Sequence, residues 1–305
     1  MRLQAKAPSG RHRHSGSVVG WALASPGLLA IVLVALYPLV ALLLLSFSQS
    51  SLGQPFRDWV GLENFRRALQ DDVFRAALVK TVVFALVITV LEMVLGLLLA
   101  LLLQQVRRGG WLLRTLVLVP LMTPPVMLAL AWRLVLAPSG GLLNRWLQGA
   151  GFIERPISFL GSPQLAFPSI AIADIWQWTP FVALLTFAAL QLLPPEVDEA
   201  ARLDGAGSGT RLWSITLPML APVLASIFLL RFIMAMKLFD LVYVLTFGGP
   251  GFTTTVASFY IYRVAFQHFN VGYAAAMTVL LGLTVGLVTL PVSRLRSIAQ
   301  RLEGA

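Results

Sequence analysis

The chain has 305 residues, 58% of them hydrophobic and only 12% charged, with a formal net charge of +10. A soluble domain carries about 25% charged residues, so this much apolar side chain requires a second apolar solvent, the bilayer, and soluble classes are excluded. The chain has no cysteine, which excludes disulfides, thiolate metal sites and cysteine nucleophiles, and no basic run is interleaved with base-stacking aromatics as in a nucleic-acid binder.

Residues 1–17 are rich in Arg, His and Ser and read as a polar, disordered tail. His12 and His14 sit in it as solvated side chains rather than metal ligands. A membrane helix needs about 20 apolar residues. Six stretches qualify, roughly 20–46, 77–104, 112–136, 167–193, 217–246 and 272–293, which predicts an all-α polytopic membrane protein. The first run is far longer than the core of a signal peptide, and LSFSQS is not a small-x-small cleavage site, so this span is retained.

Placing the amino terminus in the cytoplasm puts 12 Lys and Arg inside and 8 outside. The inside set includes Arg107, Arg108, Arg114, Arg202, Arg211, Arg294, Arg296 and Arg301. The positive-inside bias therefore predicts both termini in the cytoplasm. Two external stretches, GLENFRRAL (61–69) and GLLNRWLQ (141–148), have the pattern of short amphipathic helices at the interface.

Ionisable residues within spans face partners or water, because one at a helix centre costs about 2.5–3.5 kcal/mol. In the fifth span, Lys237 and Asp240 are three apart on one predicted helical face. They form either an ion pair or a contact with solute or gate. Arg231 lies deeper and needs its own partner, for which Glu92 in the second span is the available acid. Arg133 and Asp174, near the outer ends of spans three and four, are candidates for an ion pair that closes the external side; Arg133 snorkelling to headgroups is the other reading. Trp176 and Trp178 suit stacking on the flat face of a ligand ring or a membrane-interface belt. Pro120, Pro124 and Pro125 break span three near its middle, which makes Thr123 a pathway candidate, since broken backbone is tolerated where it lines a cavity.

Between spans four and five lies EAARLDGAGSGTRLWSITLP (199–218). A phosphate loop would need Gly-Lys-Ser/Thr after a strand; here Gly205, Gly207 and Gly209 lead to Thr210 and Arg211 with no strand before them. As structure, Pro194 and Pro195 end the fourth span, and Glu196, Asp198 and Glu199 fill the first turn of a new helix. Asp198 and Arg202 are placed to pair, Gly205 suits the C-cap, Ser208 or Thr210 suits the next N-cap, and Pro218 suits the start of span five. The product is a helix–turn–helix elbow on the cytoplasmic face.

The spacing Glu-Ala-Ala, Gly205, then Ile215-Thr-Leu217-Pro218 resembles the EAA loop of ABC importer permease subunits, E-A-A-x3-G-x9-I-x-L-P, at every fixed position. YPLVALLLLSF (37–47), GLENFRRAL, VLGLLLALLL (94–103), WQWTPFVALLTFAALQLLPPEVDEAARLDGAG (176–207) and FDLVYVLTFGGPG (239–251) extend the likeness to the carbohydrate-uptake, maltose-type permeases. Lys80-Thr81 stands where that family often has Asn-Thr. The resemblance implies a type I importer permease domain over 18–305 whose 195–216 loop docks into a cleft of an ATPase subunit. Glu199 would face a basic residue there, with Ala200, Ala201 and Gly205 shaping the contact. It implies a second similar permease, two ATPase subunits carrying ATP and magnesium, and an extracytoplasmic solute-binding protein. The chain itself would have no cofactor, no metal and no catalytic residue. Its solute would be a di- or oligosaccharide, with polyols and glycerol phosphate esters as relatives.

Two other readings compete. A stand-alone channel or secondary carrier needs its own ion site, and Glu92, Asp174 and Asp240 are scattered; an intramembrane enzyme needs paired acids or a metal cluster, and His268 stands alone.

Overall fold

A computed structural model describes residues 15–106 and 109–303, with the side chains of 21, 23–106 and 109–290. The expected tail as far as residue 14, with His12 and His14, lies outside the described residues, as do Arg107 and Arg108 and the side chains of Arg294, Arg296 and Arg301. Among the described residues the regular elements are helices, apart from one small antiparallel pair and an isolated bridge between Ser51 and Asn270. The first span is one helix in three parts: α1 (Ser15–Ile31), a π turn (Val32–Leu36) and α2 (Tyr37–Ser46). Strands β1 (Ser48–Gln49) and β2 (Asp58–Trp59) form the antiparallel pair, and α3 (Glu63–Gln70) follows as the first amphipathic helix. Asn64 donates to the Ser46 and Ser48 carbonyls at 3.1 and 2.9 Å, which satisfies the chain where it leaves α2.

Helix α4 (Asp72–Gln105) is the second span and starts five residues earlier than its apolar pattern suggests. Its N-cap is Asp71, which accepts from the Val73 and Phe74 N–H groups at 2.9 and 3.0 Å. The third span is broken: α5 (Gly110–Met122) and α6 (Pro125–Val135) meet at 91°. Pro124 and Pro125 remove two amide donors at the break, so the helix cannot continue through it. The second amphipathic helix is α7 (Leu142–Gly149), and α8 (Ala166–Gln191) is the fourth span. Next come α9 (Pro195–Leu203) and α10 (Ser208–Arg211), then a π turn (Leu212–Thr216) leading into α11 (Leu217–Ala235). The π turn lies just before Pro218, where the missing amide already weakens the ladder.

The fifth span is shorter than its apolar stretch. It ends at Ala235, and the chain turns before α12 (Asp240–Leu245). Helix α13 (Ala257–Tyr262) and a π turn (Arg263–Gln267) precede the last helix, α14 (Val271–Glu303). Among the described residues, five helices are long and apolar enough to cross a membrane, and a sixth span is counted if the bent α5–α6 pair is one.

The core is organised around α4. It packs along α8 and also meets α11 and α13, while α14 lies against α2, α3 and α11, and α12 against α6 and α8. Gly96 lets α4 and α8 approach closely, since a Cβ there would lie 2.6 Å from Val182 Cγ1. Outward faces of α4 and α14 are aliphatic, with Val83, Leu91, Leu98, Leu283 and Leu287 exposed, as a lipid-facing surface requires.

Candidate functional site

Three spans converge on one buried cation. Arg231 on α11 is 1% exposed, Glu92 on α4 0% and Asp174 on α8 3%. Arg231 Nη2 donates to Glu92 Oε1 at 2.8 Å and also bonds Asp174 Oδ2. Arg231 Nε lies 2.6 Å from Glu92 Oε2, out of hydrogen-bonding alignment, so this second contact is electrostatic only. The guanidinium sits 5.2 Å from the Trp178 ring centroid, within cation–π range. One guanidinium thus ties three helices together and is shared between two carboxylates.

Asp174 and Arg231 of the triad line a cleft of about 210 Å³, with Glu92 behind them. Asp174, Gln177 and Trp178 reach it from one face of α8, because residues three and four apart share a side of a helix. Pro125 contributes from the start of α6, Arg231 and Met234 from α11, and Lys237 and Asp240 from the turn between α11 and α12. Gln177 Nε2 donates to the Thr123 carbonyl at 3.1 Å, so a side chain of α8 satisfies the backbone freed at the proline break. The cleft therefore pairs an aromatic wall with amide, carboxylate and cationic groups, a set suited to a polar ligand that also has apolar faces.

Several expected arrangements differ. Asp174 pairs with Arg231 and not with Arg133, whose Nη1 instead reaches the Val244 carbonyl at 3.4 Å. The cause is helix adjacency, as α8 faces α11 while α6 faces α12. Lys237 and Asp240 do not share a helical face, since the helix ends at Ala235 and restarts at Asp240, and no ion pair joins them. The predicted single span 217–246 is corrected on the same ground. Trp176 points away from the cleft, 46% exposed and edge-on to Trp132 at 6.2 Å. Thr123 lies at the break, where its hydroxyl bonds the Val119 carbonyl at 3.0 Å. Sequence reasoning left out Gln177, which has no partner signal of its own beyond lying one turn after Asp174.

At the opposite end of α11 stands the elbow. In α9, Asp198 bonds Arg202 at 2.7 Å and Arg211 at 2.8 Å, which ties the helix to the turn after it. Gly205 takes φ +78°, with its N–H on the Arg202 carbonyl and the Ala206 N–H on the Ala201 carbonyl, a left-handed helix stop. The next N-cap is Gly207, with no side-chain bond, so neither Ser208 nor Thr210 caps α10. Glu199, Ala200 and Gly205 are exposed, while Ala201 is buried. Leu203 and Trp213 are 89% and 73% exposed around them.

A polar node far from the elbow joins four segments. Asp71 accepts from the Tyr260 and Tyr273 hydroxyls at 2.9 Å each, besides capping α4. Burial pushes the Asp71 carboxyl up, but the Phe74 N–H, the two tyrosine hydroxyls and the Val73 N–H outweigh it and hold the group below its usual range. Burial and the bond to Asp71 push the Tyr260 phenol up to about 12.

The broken spans, buried charges and elbow define a polytopic transport permease. Residues 92–301 match the family described as the binding-protein-dependent transport system inner membrane component, and the chain belongs to it. The trehalose/maltose transport system permease protein MalF of Thermococcus litoralis is 37% identical over 284 residues, covering 91% of this chain and 94% of that one. The trehalose transport system permease protein SugA of Mycobacterium tuberculosis is 34% identical over 264 residues, 85% of this chain and 82% of its own. A chain of the crystal structure of a bacterial ABC transporter involved in the import of the acidic polysaccharide alginate superposes with a TM-score of 0.81 at 23% identity, over 92% of this chain and 96% of that chain. The fold is that of a type I ABC importer permease, and the protein is an inner-membrane permease subunit, not an enzyme.

Proposed function

We propose that this chain forms half of the translocation path for a di- or oligosaccharide in an ATP-driven importer. It pairs with a second, similar permease, receives solute from an extracytoplasmic binding protein, and has both termini in the cytoplasm. Two ATPase subunits, which hold the ATP and magnesium, grip the 195–216 elbow of this chain and its counterpart. Glu199, Ala200 and Gly205 form the contact, and Ala201 supports it from within. Closure of the ATPase pair draws the elbows together and switches the bundle between inward- and outward-facing packings, a bistable change biased by a ligand that prefers one state.

The observation that carries this reading is the elbow. An exposed carboxylate and a small residue stand on a short helix fixed by Asp198 and stopped by left-handed Gly205, within the complete E-A-A-x3-G-x9-I-x-L-P spacing. A rigid turn with an unpaired surface charge suits a partner that supplies the countercharge. The names of the trehalose and maltose relatives support the carbohydrate assignment. The cleft is consistent with it, since Trp178 offers a ring face, while Gln177, Lys237 and Asp240 offer hydrogen bonds to hydroxyls. Glu199→Lys is expected to abolish uptake and to reduce copurification of the ATPase, with the amount of permease in the membrane unchanged. Normal uptake by that variant contradicts the coupling role.

A further inference from the structure

Aromatic residues are unevenly distributed. Four of the five tyrosines of the chain, Tyr243, Tyr260, Tyr262 and Tyr273, lie within its last quarter. In the same region Phe239, just before α12, joins rings of α12, α13 and the π turn after them in one contact cluster, at the end of the bundle away from the elbow. Phe239 borders the cleft. Its ring centroid is 5.4 Å from Tyr243 and 5.3 Å from Tyr262. Tyr262 lies 5.3 Å from Phe266, and Tyr243 lies 5.3 Å from Phe247 and 5.5 Å from Tyr262. Phe259, fully buried, backs the series at 5.2 Å from Phe247. The front rings are open: Tyr243 is 37% exposed, Phe247 50% and Phe266 55%.

The backbone is constrained to hold this surface. Phe247 takes φ +52°, unfavourable for a bulky residue, and is kept there by its N–H bond to the Val242 carbonyl at 2.8 Å. Gly248 follows at φ +81°; a Cβ there would lie 2.5 Å from the Phe259 ring, so only glycine admits that ring behind the others. Such conformations persist where surrounding structure over-determines them, and they cluster at ligand clamps. Here the Thr254 and Thr255 hydroxyls lock the turn by donating to the Gly249 and Gly248 carbonyls at 2.8 and 2.9 Å.

Resting on the carbohydrate reading above, we propose that Phe239, Tyr243, Tyr262 and Phe266 form an aromatic track that guides a sugar chain between the outer end of the bundle and the cleft. The occupant is a carbohydrate because the track is continuous with the cleft through Phe239. Phe239, Tyr243 and Tyr262 form a mutual cluster from which Phe266 extends, and none of the four carries an ionised side chain. The lipid-facing outer surfaces of α4 and α14 are built instead from Val and Leu. Flat rings bind the C–H face of each pyranose, and the two tyrosine hydroxyls add hydrogen bonds without fixing one position, which permits sliding.

The test uses the whole importer with its binding protein and a panel of labelled di- and oligosaccharides that includes trehalose, maltose and maltotriose. Tyr243→Leu, Tyr262→Leu and Phe266→Leu retain apolar bulk but remove the ring face. The track predicts that each raises the apparent KM for uptake by about tenfold, leaves binding-protein-stimulated ATP hydrolysis in place, and is rescued by Tyr243→Trp, Tyr262→Phe or Phe266→Tyr. Wild-type KM in the leucine variants overturns the track and leaves the carbohydrate reading standing. Loss of both uptake and stimulated hydrolysis in the leucine and aromatic variants alike also overturns it, since the rings are then packing alone. Absence of uptake of every sugar by the wild-type importer overturns the carbohydrate reading and the track together.

Discussion

Arg231 touches carboxylates from two other helices, so its removal leaves Glu92 and Asp174 facing each other in a dry site. Stripping one partner from a buried ion cluster destabilises by about 3–5 kcal/mol. Arg231→Met is therefore expected to lower the thermal midpoint of the detergent-solubilised importer, and Arg231→Met with Glu92→Gln and Asp174→Asn to recover much of the loss. No recovery in the triple variant contradicts a primarily electrostatic role. The Glu92–Arg231 pair was legible in the sequence because Glu92 is the lone acid of its span and Arg231 lies deeper in its own than Lys237 and Asp240, so each must find an opposite charge within the bilayer. Asp174 was assigned to Arg133 instead, because position along a helix is readable from sequence but which helix lies beside it is not. Lys237 and Asp240 failed for a different reason, since three-residue spacing implies a shared face only while the helix continues.

Elements are held by polar fastenings that hydrophobicity does not reveal. Asp71 caps α4 and fastens it to Tyr260 of α13 and Tyr273 of α14. A folded-state pKa held below the unfolded value stabilises above the unfolded value and loses that contribution as pH falls through the folded one; the raised Tyr260 phenol stabilises below its unfolded pKa and loses that contribution as pH rises toward about 12. The stability difference between wild type and Asp71→Asn is thus expected to be flat from about pH 5 to 9, and to shrink below about pH 4 and above about pH 10. Thermal denaturation across that range checks it, and a difference that changes most between pH 6 and 8 contradicts it. The spans were legible from apolar length, and the break in span three from its prolines. The early end of the fifth span was not, because residues 236–246 continue apolar into α12 without a proline to mark the turn. Apolar length counts residues that avoid water; it does not distinguish one helix from two that share a core.

For the whole molecule the account joins two distant places, a charged cleft between α6, α8 and α11 and an exposed elbow at the other end of α11. That helix begins beside the elbow and ends at the cleft, so in the proposed cycle a displacement of one would pass to the other through a packed element. The first helix of the elbow and its stop were legible because their turn chemistry is local: a proline, an acidic first turn and a glycine; the cap of α10 was not, since Gly207 stands where Ser208 or Thr210 was expected. The cleft was legible only as a set of unplaced charges, since it is assembled from residues 50 to 100 positions apart. The most direct test is reconstitution of this chain with its partner permease, ATPase and binding protein in liposomes, and measurement of labelled disaccharide import. The account predicts import that requires ATP and the ATPase subunits and ceases when the ATPase is omitted. Solute movement by the permease subunits alone, down a gradient and without ATP, would contradict it.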